Sequence, residues 1–230
     1  MKRNLYLFSI LLSVTMIALL ASCQIDNYDG PDATVTGSVI DNATGKPILT
    51  EPYGFRIKMD ETSWSDNPTP RYISGQIDGT FNDKSYFAGT YVATPVDGAF
   101  VVPEPQTIQV KSKNTTTVNF SVNPYIRFDN VSIVKEGATV KATFTLVKFV
   151  PSAVPVDYAV IANAKTPYFG MSDNQVNSGR ITLREEDFGV PKEIVLDRFV
   201  SGTMYYIRIA AYCQNPTGRY NYTDVVKIQM

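Results

Sequence analysis

The sequence predicts an all-β protein made of two tandem β-sandwich domains, and three observations point there. Beyond residue 32, apolar and polar residues alternate in short runs, the period of half-buried strands. Clusters of Gly, Pro, Asn and Asp separate those runs, as tight turns require. The composition holds 14 Tyr, 12 Phe, 14 Gly and 14 Pro with 44% hydrophobic and 19% charged residues, an ordered and strand-rich mixture. At 230 residues the chain is long enough for two domains of about 100.

Ahead of the domains lies an address. Met1-Lys2-Arg3-Asn4 is a short positive stretch, and Leu5 to Leu20 is a mostly apolar run. That run falls short of the ~20 residues that cross a bilayer, so residues 1–22 read as a cleaved secretory signal. It ends in Leu20-Ala21-Ser22-Cys23, which resembles the bacterial lipobox. The resemblance implies cleavage before Cys23 and acylation of its thiol and new amine. Several acyl chains at ~0.8 kcal/mol per buried CH₂ then hold the protein on a membrane. Residues 23–32 form an acidic tether broken by Gly30-Pro31, reaching ~30 Å when extended. Its aspartates miss the spacing of a calcium loop and read as solvated.

The first domain is expected over residues 33–123. Thr34 to Ile40 alternates and ends in the turn Asp41 to Pro47, and Phe55-Arg56-Ile57-Lys58-Met59 puts apolar groups on one face. Further strands are read at 72–77, 79–82, 89–95, 106–110 and 116–122, about seven in all with no helical period, hence a sandwich. Gly37-x-Val39-x-Asp41-x-x-x-Gly45-x-Pro47, with Gly79-x-Phe81 and Gly89-x-Tyr91, resembles the carboxypeptidase-regulatory, transthyretin-like domain. In that family the module is non-catalytic.

Asn123-Pro124-Tyr125 marks the boundary to a second domain over residues 124–230. Val140, Ala142, Phe144 and Leu146 form one apolar strand face. Near the end, Tyr205, Ile207, Ile209 and Ala211 share one face, with Tyr206, Arg208, Ala210 and Tyr212 on the other. The run from Phe199 through Gly202-Thr203 to Ala211 resembles the corner and F strand of a fibronectin type III domain. Tyr205 would then be the corner tyrosine, with its ring buried and its hydroxyl returned to the backbone. The outward face of Tyr206, Arg208 and Tyr212 is either a binding surface or covered at the domain junction. Cys213, in the same run, is expected to be a small buried apolar residue.

The lipobox, Asp26-Asn27-Tyr28, Thr34-x-Thr36-Gly37 and Arg219-Tyr220-Asn221-Tyr222 together resemble the DUF3823 lipoproteins of Bacteroidetes. That family combines a transthyretin-like with a fibronectin-III-like domain, often beside outer-membrane glycan transporters of the starch-utilisation type. The resemblance implies a lipid-anchored outer-membrane protein, at the cell surface, in polysaccharide utilisation.

Composition removes much chemistry. There is no histidine, so Ser-His-Asp and Cys-His catalysis and histidine metal sites are out. Two cysteines make no thiolate cluster, and the sequence contains neither a phosphate loop nor a nucleophile elbow. A net charge of −1 gives no field for nucleic acid. Acidic groups such as Asp60-Glu61, Asp78 with Asp83, and Glu185-Glu186-Asp187 read as solvated turns rather than a glycosidase pair. No enzyme activity, metal or cofactor is expected.

Sugar binding asks for less: an aromatic face for the C–H side of the ring, and amides or carboxylates for its hydroxyls. Trp64, the sole tryptophan, lies in a polar Pro-rich loop with Asp66 and Asn67. It reads as a sugar platform, a cap on the sandwich end or a partner contact. A second candidate patch is Tyr168 and Phe169 with Asp173 and Asn174, whose aromatics are either a platform or packing. The expected function is therefore glycan capture as an accessory to a polysaccharide uptake system. The alternative is a structural or assembly subunit docking onto an outer-membrane transporter or surface appendage without sugar.

Overall fold

Most of the alternating runs form strands. The computed structural model describes residues 29–230, so the signal, Cys23 and its expected lipidation lie outside the described residues. The first eight strands are β1 (Ala33–Asp41), β2 (Arg56–Glu61), β3 (Arg71–Ser74), β4 (Thr80–Tyr86), β5 (Gly89–Val96), β6 (Phe100–Val101), β7 (Gln106–Val110) and β8 (Thr115–Pro124). They form two sheets, β4-β1-β8-β6 and β3-β2-β5-β7. Every second residue of β1 is buried, and Val35, Val39, Ile57, Met59, Phe81 and Phe120 meet in one core. β1 runs parallel to β8, and Gly37 sits where the two come closest: a Cβ there would stand 1.7 Å from the Val118 carbonyl oxygen. The strand read at 72–77 is shorter than expected, because after Ser74 the chain turns through Gln76 and Gly79 into β4.

Nine more strands make up the rest of the fold. They are β9 (Ile126–Glu136), β10 (Thr139–Lys148), β11 (Pro155–Asn163), β12 (Val176–Asn177), β13 (Ile181–Thr182), β14 (Pro191–Leu196), β15 (Met204–Cys213) and β16 (Asn221–Tyr222); β17 (Val226–Gln229) completes the set. One sheet is β14-β10-β9; the other is β12-β11-β15-β16, with β13 on β11 and β17 on β15. Val140, Ala142, Phe144 and Leu146 face Tyr205, Ile207, Ile209 and Ala211 in a second core. Tyr205 is 4% exposed, and its hydroxyl accepts a hydrogen bond from Val200 N–H at 3.2 Å, as the corner reading requires. Cys213 is buried in the same core, which pushes its thiol up to about 11.

The protein is all-β, with sheets paired as two sandwiches, and Pro31–Met230 forms one compact unit. Strand β11 explains the close association. Every residue from Asp157 to Asn163 is buried, so both faces of this strand are covered. One face lines the second core; the other carries Ala159 and Ile161 into a small cluster with Phe169, Ala210, Tyr220 and Tyr222, against which Leu49 of the first sandwich packs.

Candidate functional site

The seam between the sandwiches is held by charged and polar groups from both. Asp41, at the end of β1, receives two hydrogen bonds of 2.5 Å from Arg127 Nε and Nη2. The Arg127 guanidinium also lies 3.6 Å from the centre of the Phe149 ring. Burial alone would raise the Asp41 carboxyl, but the bonds from Arg127 and from Ala43 N–H outweigh it and hold the pKa below the usual value. Glu51 binds Arg219 at 2.6 Å through one oxygen and accepts the Tyr222 hydroxyl at 3.0 Å through the other. Gly170 is needed here, since a Cβ would stand 2.3 Å from Glu51 Oε2. Arg208, 1% exposed, donates to the carbonyls of Thr50 at 2.9 Å, Phe169 at 3.3 Å and Thr223 at 3.0 Å, with Tyr222 4.1 Å from its guanidinium carbon. Burial pushes Arg208 down to about 10, so it is still a cation at neutral pH. Asn221 completes the seam, donating to Ala99 O at 2.9 Å and accepting Ile126 N–H at 3.1 Å.

Two depressions open along this seam. One, of ≈ 400 Å³, is lined by Tyr168 and Pro167 from the β11–β12 connection, by Gln76, Ile77 and Asp78 from the β3–β4 turn, and by Asp224 after β16. Arg208 lies against it from within. The other, of ≈ 470 Å³, runs along Lys46, Pro47, Arg127, Phe128 and Asp129. Leu49, Thr223 and Asp224 line both, so the two lobes share a wall. Tyr168 is 62% exposed, and Gln76, Asp78 and Asp224 are exposed too. An aromatic ring, an amide and two carboxylates thus converge on one hollow. Among the described residues, no three His, Cys, Asp or Glu side chains cluster as a metal site needs.

The structure divides the residues singled out from sequence. Of the second patch only Tyr168 reaches the hollow. Phe169 is a correction: it is 0% exposed, because the chain turns it inward onto Ala159, Ile161 and Ala210. Asn174 is another. Its amide donates to Met171 O at 2.6 Å and its oxygen accepts from Asn177, so it fixes its own loop and is not free for a ligand. Asp173 is exposed but lines neither lobe. Trp64 is 84% exposed, which rules out its capping the sandwich end, and Asp66 and Asn67 are exposed beside it. This loop lies at the far end of the first sandwich from the seam, separated by the length of β1, about 26 Å. The two candidate patches are therefore not one site. Arg208 takes the covered alternative at the junction, not an outward surface.

Gln76, Asp78 and Asp224 were not evident from sequence as binding residues. Each is an ordinary exposed turn residue, and only the docking of the two sandwiches brings them to Tyr168. The one available signal was the uninterrupted apolar run Ala159 to Ala162, which marks a sheet covered on both faces.

The fold and its seam define a two-domain all-β protein with a polar, aromatic-edged hollow between the domains. Residues 33–123 match the family described as "Protein of unknown function (DUF3823) N-terminal domain", which places this stretch of the chain in the DUF3823 family. No curated protein matches it. Among solved structures it is similar to a DUF3823 family protein from Bacteroides ovatus, at 18% identity and a TM-score of 0.74, over 86% of this chain and 99% of that one. A second, from Parabacteroides merdae, shares 23% identity at a TM-score of 0.68, over 87% and 100% of the two chains. A third is described as a "putative carbohydrate binding protein" from Bacteroides uniformis, with 24% identity and a TM-score of 0.72, over 87% and 100%.

Proposed function

We propose that this protein binds glycans without catalysis, as a lipid-anchored outer-membrane accessory at the cell surface that serves polysaccharide uptake. The observation that carries the proposal is Tyr168, whose ring is exposed at a ≈ 400 Å³ hollow flanked by Gln76, Asp78 and Asp224. A sugar ring presents an apolar face to an aromatic and hydroxyls to amides and carboxylates, and this hollow offers both. The two-lobed shape suits a chain of several sugars more than a single ring. The Bacteroides uniformis relative, whose name carries carbohydrate binding, supports the same reading. So does solvent exposure of Asp78 and Asp224, since a glycosidase needs one carboxyl desolvated to act as acid.

The strand orders add architecture to the proposal. A three-strand sheet β14-β10-β9 facing β12-β11-β15-β16, with a corner tyrosine on β15, supports a fibronectin-III-like second domain. The first domain, with β1 in the middle of one sheet, is read as transthyretin-like. Anchoring through Cys23 rests on Leu20-Ala21-Ser22-Cys23.

Affinity electrophoresis through gels cast with plant, host and microbial polysaccharides tests the binding. Retardation by one glycan class, lost in Tyr168→Ala, is expected. Retardation unchanged by Tyr168→Ala would move the site elsewhere. Free migration in every gel would favour the assembly-subunit reading.

A further inference from the structure

The end of the first sandwich opposite the seam gathers elements that neither domain uses. The chain enters here: Ala33 pairs with Tyr86, Thr34 N–H donates to Asn114 O at 2.9 Å, and the Asp32 carboxylate accepts from Ser112 Oγ at 2.8 Å and Lys113 N–H at 3.2 Å. The Trp64 loop closes over the same end, with Ser63 Oγ accepting Thr90 N–H at 2.7 Å and Thr62 N–H donating to Thr90 O at 2.9 Å. Between Tyr86 and Gly89 the β4–β5 turn puts out Phe87, whose carbonyl accepts the Tyr91 hydroxyl at 3.1 Å. The backbone of this pole is thus well fastened, yet it shows Trp64 at 84% and Phe87 at 52% exposure. Large aromatics left this open on a fixed scaffold mark a surface that is covered in use.

The tether decides what covers it. Ten residues of chain from Cys23 to Ala33 reach at most about 33 Å, and the described chain begins at this pole, where Ala33 pairs with Tyr86. A membrane holding an acylated Cys23 therefore meets the Trp64 pole first, while the seam hollow lies about 26 Å further out along β1. Tryptophan and phenylalanine are side chains suited to the bilayer interface, where an apolar ring is buried at headgroup level. Lys84, Lys111 and Lys113 are offset by Asp32, Glu61 and Asp66, so the contact is aromatic rather than electrostatic.

We infer that Trp64 and Phe87 form a lipid-docking pole. They seat the first sandwich on the bilayer surface beside its anchor and hold the seam hollow facing away from the membrane. The inference rests on the proposed acylation of Cys23, and the experiment separates the two. The full lipoprotein, purified from membranes, is reconstituted into vesicles of phosphatidylethanolamine, phosphatidylglycerol and a brominated-acyl phosphatidylcholine. Because Trp64 is the only tryptophan, its emission reports on this pole alone. The expected result is a blue shift, quenching by the brominated chains, and loss of iodide quenching, all unaffected by added salt. Phe87→Ser should weaken each effect while circular dichroism stays unchanged. Mass spectrometry of the N-terminal peptide reads the anchor in the same sample. Lipid on Cys23 with an unshifted, iodide-accessible Trp64 overturns the docking pole and leaves the anchor standing. An unlipidated Cys23 overturns both. A Trp64 emission that answers to polysaccharide and not to vesicles overturns the pole in favour of a sugar platform.

Discussion

Asp41→Ala should loosen the seam by an amount that the geometry sets. Arg127 and Asp41 are 13% and 10% exposed at their side chains, so the pair is nearly dry. Removing one partner of a buried pair costs about 3–5 kcal/mol, because the other charge is left uncompensated. Here Arg127 keeps Asn42 Oδ1 at 3.1 Å and the Phe149 ring at 3.6 Å, which places the loss near the low end, about 3 kcal/mol. Asp41 also accepts Ala43 N–H at 2.9 Å, so the single variant mixes two effects. A double-mutant cycle with Arg127→Ala isolates the pair, and guanidinium unfolding of the four proteins should give a coupling of about 2 kcal/mol. The pair also carries a pH signature. The folded Asp41 carboxyl sits below its unfolded value of 3.8, so its contribution is complete at neutral pH and is lost as pH falls through the folded value. Asp41→Asn should flatten the stability profile in that acid range. A coupling under about 0.5 kcal/mol, as for an exposed ion pair, would refute the reasoning.

Other positions give sharp expectations. Arg208→Lys keeps the charge but not the fork that reaches three buried carbonyls, so it should destabilise by about 2 kcal/mol or more in the same unfolding assay. Stability within about 0.5 kcal/mol of wild type would contradict that role. Trp64→Ala, at an 84% exposed position, should leave the unfolding free energy unchanged to within about 0.5 kcal/mol. Cys213, buried with its thiol pushed up to about 11, should resist alkylation in the native protein at neutral pH and react on unfolding.

Much of the fold can be read from residue alternation, and the limits of that reading have a physical cause. Val140 to Leu146 and Tyr205 to Ala211 present one apolar face each, and each is buried as a period of two requires. Tyr205 is legible because its corner is a local arrangement, with Gly202 three residues before it. Arg208 is not. Alternation places it opposite Ile207 and Ile209, but whether that side meets water or another domain depends on residues 158 positions away in sequence, such as Thr50. Tyr168 and Phe169 show the same limit in a loop. Adjacent aromatics look alike in sequence, and only the packing of Phe169 onto Ala159 and Ile161 separates the exposed ring from the buried one. Asn174 looked like a ligand amide because Asn suits sugars; it suits loop closure equally well. The hollow itself comes from three distant turns, so no local motif records it.

The central claim is glycan binding at the seam, and calorimetric titration of a polysaccharide-derived oligosaccharide into wild type, Tyr168→Ala and Trp64→Ala tests it most directly. Truncating a central aromatic contact costs about 2 kcal/mol, or roughly 30-fold in affinity. The account predicts saturable binding by wild type, weakened by about that factor in Tyr168→Ala and unchanged in Trp64→Ala. Binding lost in Trp64→Ala but intact in Tyr168→Ala, or no saturable heat with any glycan class, would contradict it.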